Sequence, residues 1–170
     1  DRRMISTNQF ETQNFRDQFV ELIRLAATDL PADVEQRLKQ ASRNEAAESP
    51  AQQVLLTILK NVQLAREKSC PMCQDTGTPI FFVQLPGKIS QNTMKRTING
   101  AVAEATNRNY LRPNAVNPIT GMNSGNNIGD HHFPMVYFEE SKDDKVIIDL
   151  LLKGGGCENV GRQYALPDDS

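Results

Sequence analysis

Residues 70–87 read CPMCQDTGTPIFFVQLPG, and the order of elements around this stretch sets the class of fold. Within it Ile80, Phe81, Phe82 and Val83 form a short apolar run, aromatic and β-branched, between Pro79 and Pro86-Gly87, the pattern of a buried strand. Upstream, Ser49-Pro50-Ala51-Gln52 combines a cap residue, a proline preset for the first helical turn and a glutamine placed for a capping box. Val54, Leu55, Ile58, Leu59, Val62 and Ala65 follow as a broad apolar stripe, expected to bury against the rest of the domain, with the helix ending near Lys68. The cysteine pair therefore stands between a helix and a strand.

Further outward, Phe15, Phe19, Leu22, Ile23 and Ala26 recur at helical spacing on one face. A second helix is predicted to take Pro31 as its first position, with an acidic first turn and with Val34 and Leu38 inward. Downstream, Ser90 caps a helix whose inner face is Met94, Ile98, Ala101, Val102 and Ala105. Residues 113–130 are dense in Asn, Gly and Pro and predict a long irregular loop, which in a compact domain is either functional or disordered. Strands are expected around Phe133–Phe138 and Val146–Leu152, and the polar connector Glu139–Asp144 is short enough to join them as an antiparallel hairpin. This order is α+β: N-terminal helices, then a small mixed or antiparallel sheet with a packed helix and a long Asn/Gly-rich loop. One domain over 1–170 is expected, with 1–48 a helical lead-in and 49–170 the region bearing the site.

Composition narrows the function. With 19 Lys+Arg against 21 Asp+Glu and a net charge of -2, the 170-residue chain has no bulk attraction for nucleic acid or anionic lipid. No apolar run approaches the roughly 18 residues that a membrane span needs. Asp1-Arg2-Arg3-Met4 has no apolar segment behind it and predicts no secretory signal. The 3 cysteines are unlike a disulfide framework and favour a reducing, cytoplasmic setting.

Three features carry chemistry. Cys70-Pro-Met-Cys73 runs directly into Gln74-Asp75-Thr76-Gly77, and a metal on a thiolate beside a carboxylate and an amide would form a reactive centre. The same pair is also readable as a zinc site completed by Cys157 and His131 or His132, or as two small buried residues; a thioredoxin-type pair would follow a strand and open a helix, the reverse of the order here. The second feature is Lys153-Gly154-Gly155-Gly156-Cys157-Glu158-Asn159. Successive glycines after an apolar strand imply positive φ or close approach of another group, either to aim N–H groups at an anion or to make a tight turn. The third is Leu111-Arg112-Pro113-Asn114, where an arginine suited to gripping a carboxylate is, taken alone, more often a solvated surface charge.

Taken in order, Cys-Gln-Asp-Thr-Gly-Thr, Leu-Arg-x-Asn and Lys-Gly-Gly-Gly-Cys-Glu-Asn resemble the N-terminal, or alpha-subunit, region of the iron-sulfur hydro-lyases that comprise class I fumarases and L(+)-tartrate dehydratases. The resemblance covers Val54 to Ser170. It implies a 4Fe-4S cluster held by three cysteines, with one iron open to substrate. Cys73 matches the first cluster ligand, Gln74 and Asp75 match substrate contacts, Arg112 matches an arginine for a substrate carboxylate, and Gly156 lies where backbone meets substrate. Cys70 and Cys157 match no cluster position and are read as small structural residues. The open iron would act as a Lewis acid on the hydroxyl of a 2-hydroxy dicarboxylate, with Asp75 as general acid toward the departing oxygen; no residue matches a general base. The family's chains continue further and supply the remaining cluster cysteines there, so this segment is expected to be part of a longer subunit. Asp130-His131-His132 has no counterpart in the family and reads as surface or packing residues.

The resemblance implies reversible hydration of a four-carbon dicarboxylate, fumarate to malate ahead of tartrate dehydration, with a beta subunit or C-terminal domain as partner and a homo-oligomeric assembly. Two other classes compete: a noncatalytic assembly domain with the same fold, and a small zinc module using Cys70, Cys73, Cys157 and a loop histidine.

Overall fold

The structure is a computed structural model that describes residues 2–6, 12–129 and 133–154, with side chains from Phe15 onward. Its elements are β1 (Arg2–Ser6), α1 (Thr12–Thr28), α2 (Ala32–Asn44), α3 (Pro50–Lys68), β2 (Thr78–Leu85), α4 (Gln91–Asn107), β3 (Met135–Glu140) and β4 (Lys145–Lys153). Helices and a mixed sheet give the expected α+β class. The strand β1 lies within what the sequence presented as a purely helical lead-in.

The sheet order is β1-β4-β2-β3. β4 runs antiparallel to both β1 and β2, whereas β3 lies parallel to β2, reached through α4. The expected β3–β4 hairpin does not form, because β2 separates the two strands. The short connector instead crosses the end of β2, where Ser141 N donates to Leu85 O at 3.0 Å. A short polar link fits this crossing as well as a hairpin turn.

Alternation along the strands builds the core on one face. Phe81, Val83 and Leu85 of β2 and Val146, Ile148 and Leu150 of β4 are buried with Phe15, Phe19 and Ile23 of α1 and Met94, Ile98 and Val102 of α4. Phe19 meets Phe81 edge-on, ring centroids 6.2 Å apart. β2 is buried on that face alone, not on both: Phe82 is 45% exposed and stacks on the 52%-exposed Tyr137 at 5.4 Å.

The expected inner faces of α1 and α4 are the observed ones, Ala26 being half-buried. The α2–α3 pair differs. On α3 only Val62 and Ala65 are buried, and Val54 and Ile58 are exposed at 58% and 40%. On α2 Val34 is exposed and Leu38 half-buried. The reason is geometric: α3 packs chiefly on the polar helix α2 and touches α1 only slightly, so most of its stripe has no apolar cover. Pro31 occupies the cap position of α2 rather than its first helical residue. The cap of α3 forms as expected, with Ser49 Oγ accepting from Gln52 N at 3.1 Å, but Gln52 Oε1 reaches back to Glu48 N rather than to Ser49. No described helix is long and apolar enough to cross a membrane.

Candidate functional site

The connector between α3 and β2 is anchored residue by residue. Ser69 ends α3 in the left-handed conformation, φ 49° and ψ 47°, and Cys70 N donates to Ala65 O. Met72 is held at both ends of its peptide unit: its N–H donates to Ala27 O at 3.1 Å, and its carbonyl accepts from Asn61 Nδ2 at 2.9 Å. Arg66, in the last turn of α3, bridges Asp29 and Glu35 and so ties the α1–α2 junction to the same region. Hydrogen bonding from Arg66 holds the Asp29 carboxyl below its ordinary value; Glu35 is likewise lowered, by Lys39 first and Arg66 second. From this support Cys73, Gln74 and Asp75 emerge exposed in succession, while Thr76 and Gly77 turn inward; Cys70 is half-buried.

Gly77 joins this segment to the end of β4. Its φ is +79°, and a β-carbon there would stand 2.2 Å from the carbonyl carbon and oxygen of Lys153 and 2.5 Å from Gly154 N. No other residue fits that approach. The contact continues at Gly154, where a β-carbon would come within 2.9 Å of Asp75 Oδ2. The close approach expected of the glycine run therefore holds at its first member. Gly155, Gly156 and Cys157 lie outside the described residues, as do His131 and His132.

Thr76 brings in the third motif, its hydroxyl accepting from Arg112 N at 2.9 Å. Arg112 O in turn accepts from Asn127 Nδ2 at 2.7 Å. Asn127 Oδ1 accepts from Asn114 N and Ala115 N at 2.6 and 3.2 Å, and Nδ2 also donates to Thr106 Oγ1 at 3.0 Å. The Arg112 side chain is exposed and makes no ion pair among the described residues. Asn114 Nδ2 is buried and finds no hydrogen-bond partner among them.

The segment after Arg112 is irregular but built. Asn117 Oδ1 accepts from Ile119 N and Thr120 N, Asn123 Oδ1 from Gly125 N, and Asn126 Oδ1 from Ile128 N, while Val116 bridges Asn123. Asparagine side chains here replace the missing ladder of backbone bonds. A cavity of about 700 Å³ on this loop is lined by residues such as Ile119, Met122 and Phe133 and by neither Asp75 nor Arg112.

Three separated motifs thus meet around Asp75: an exposed thiol and amide before it, a glycine backbone against its carboxylate, and the backbone of Arg112 tethered through the next residue. Sequence reading named Cys73, Gln74, Asp75 and Arg112. It gave no separate role to Thr76 or Asn127, although the density of asparagine in 113–130 was the available signal. Among the described residues no three His, Cys, Asp or Glu side chains converge as a metal site.

The model of the family described as Fumarate hydratase (Fumerase) matches residues 16–170. The chain belongs to that family. Among curated relatives of this Fumerase-family chain, a protein of Geobacillus stearothermophilus assigned as a class I fumarate hydratase is 44% identical over 147 residues, covering 86% of this chain and 28% of that protein. One of Methanocaldococcus jannaschii assigned as L(+)-tartrate dehydratase subunit alpha is 37% identical, covering 85% of this chain and 52% of its own length. The L(+)-tartrate dehydratase subunit alpha of Escherichia coli K12 is 33% identical, with 84% and 47% covered. The chain therefore spans about half or less of the relatives it matches.

Proposed function

We propose that this chain forms part of an iron-sulfur hydro-lyase that reversibly hydrates a four-carbon dicarboxylate, fumarate to malate. The observation that supports it most is the meeting of Asp75 with Gly154 on one side and, through Thr76, with Arg112 on the other. These groups suit a small dianion. In this reading Arg112 grips one carboxylate through two hydrogen bonds, and Asp75 gives a proton to the oxygen leaving the neighbouring carbon. Gln74 supplies an amide beside it, and Gly156 belongs to this reading as a substrate contact.

The donor set fits one corner of a 4Fe-4S cluster. Cys73 presents an exposed thiol directly before Gln74 and Asp75, on a backbone anchored at Met72, and two further cysteines would come from a C-terminal continuation or partner chain. Such a cluster, with one iron free of protein thiolate, supplies a Lewis acid toward the substrate hydroxyl. A beta subunit or C-terminal domain, a homo-oligomer and a cytoplasmic location belong to this reading, as does a single domain spanning the chain.

Tartrate is the second reading, supported by the alpha-subunit names of two relatives. The test uses the whole gene product with its neighbour, purified without oxygen. Iron and sulfide near four each per chain, lost in Cys73→Ser, together with fumarate hydration abolished in Asp75→Asn, are expected. Tartrate turnover without fumarate turnover would shift the assignment within the family. Stoichiometric zinc, or no metal and no turnover of either acid, would overturn it in favour of a zinc module or an assembly domain.

A further inference from the structure

We propose that Thr76 and Asn127 are positioning residues that aim Arg112 at the substrate, an inference that rests on the proposed hydro-lyase reading. The two peptide planes that flank a Cα fix the direction of its Cβ. At Arg112 both planes are held by side chains: the N–H of one by Thr76 Oγ1 at 2.9 Å, and the carbonyl of the other by Asn127 Nδ2 at 2.7 Å. Pro113 follows and confines Arg112 to extended backbone. What remains free is the arginine side chain itself.

Both holders are built for the task. Thr76 is 6% exposed and adjoins Asp75, so the distance from carboxylate to guanidinium root is set through a single residue. Asn127 is 1% exposed, and its amide is saturated, with two acceptances at Oδ1 and two donations from Nδ2. It sits at φ 59°, a left-handed conformation that asparagine tolerates better than most residues. Its bond to Thr106, whose hydroxyl donates to Val102 O at 2.8 Å, references the arrangement to the rigid helix α4. Two of these bonds end on the arginine's own backbone, which general loop packing does not require.

The substitutions separate cleanly. Thr76→Val keeps the shape and removes the acceptor, and Thr76→Ser restores it. Asn127→Asp keeps both acceptances but sets a carboxylate against the Arg112 carbonyl. In the complete cluster-loaded enzyme, Thr76→Val and Asn127→Asp are expected to raise KM for fumarate about tenfold, the loss of one well-oriented interaction, with iron content unchanged and Thr76→Ser near wild type. In an Arg112→Ala background the same substitutions should leave KM unmoved, because they act through the missing side chain. Amide exchange at Arg112 should quicken in Thr76→Val. Equal KM effects with and without Arg112 would overturn the positioning role and leave the proposed activity standing. An Arg112→Ala enzyme with unchanged KM would overturn the assignment of Arg112 to substrate, and this inference with it. Should Asn127→Asp fail to fold, the Thr76 pair still decides the matter.

Discussion

The Asp75 carboxylate rests against the backbone of Gly154, so that a β-carbon at position 154 would stand 2.9 Å from Oδ2. The obstructing atom is the end of a rotatable side chain, and Gly154 has no positive φ to strain a replacement. Gly154→Ala should therefore fold with stability within about 1 kcal/mol of wild type, while the displaced carboxylate lowers turnover on the order of a hundredfold. Urea unfolding and a fumarate hydration assay on the same preparation test both halves; full activity would detach Asp75 from the chemistry.

Gly77→Ala should fail differently. Here the new methyl meets Lys153 backbone at 2.2 Å, and the residue must hold φ +79°. Overpacking and left-handed strain together cost roughly 3 kcal/mol or more. A large drop in urea midpoint is expected, in contrast to Gly154→Ala.

The two faces of helix packing give a second contrast. Ile98 is fully buried under the sheet, and Ile98→Ala should cost roughly 2–5 kcal/mol. Ile58 is 40% exposed on α3, and Ile58→Ala in this chain should stay within about 0.5 kcal/mol. Chemical denaturation of the two variants side by side reads the difference.

Acid should loosen the α1–α3 junction. Hydrogen bonding from Arg66 holds the Asp29 carboxyl below the ordinary carboxylate range, so the stability it contributes is complete above the unfolded chain's value and is lost as pH falls through the lowered folded value. The gap in Tm between wild type and Asp29→Asn should narrow as pH falls below about 4. Salt should shrink the same gap at neutral pH, since the pair is part-exposed and screened. A gap independent of pH would remove the ion pair from the account.

How legible these features were depended on whether the signal was periodic. Helices α1 and α4 could be read because Phe15 to Ile23 and Met94 to Ala105 each repeat on one face that the fold buries. The stripe on α3 repeats equally well, yet periodicity shows only that a face is apolar, not that a neighbour covers it. Strand β1 has too few residues to establish alternation. The β3–β4 connector fitted a hairpin, and only the non-local insertion of β2 between the strands excluded it. At the site, Cys73, Asp75 and Arg112 stood out by motif, while Thr76 and Asn127 act by bonding backbone far away in sequence, which leaves no local pattern.

The position of β4 has a consequence for how the molecule comes to exist. Among the described strands it comes last in chain order, yet it fills an interior slot between β1 and β2. The contact of Gly77 with Lys153 closes a loop of about 70 residues or more, so its entropy must be lost before any pairing repays it. During synthesis α1 to α4 all emerge before β4. Asp75 acquires its glycine backing only when β4 inserts, so the contact of Asp75 with Gly154 and the pairing of β2 with β4 arrive in the same event.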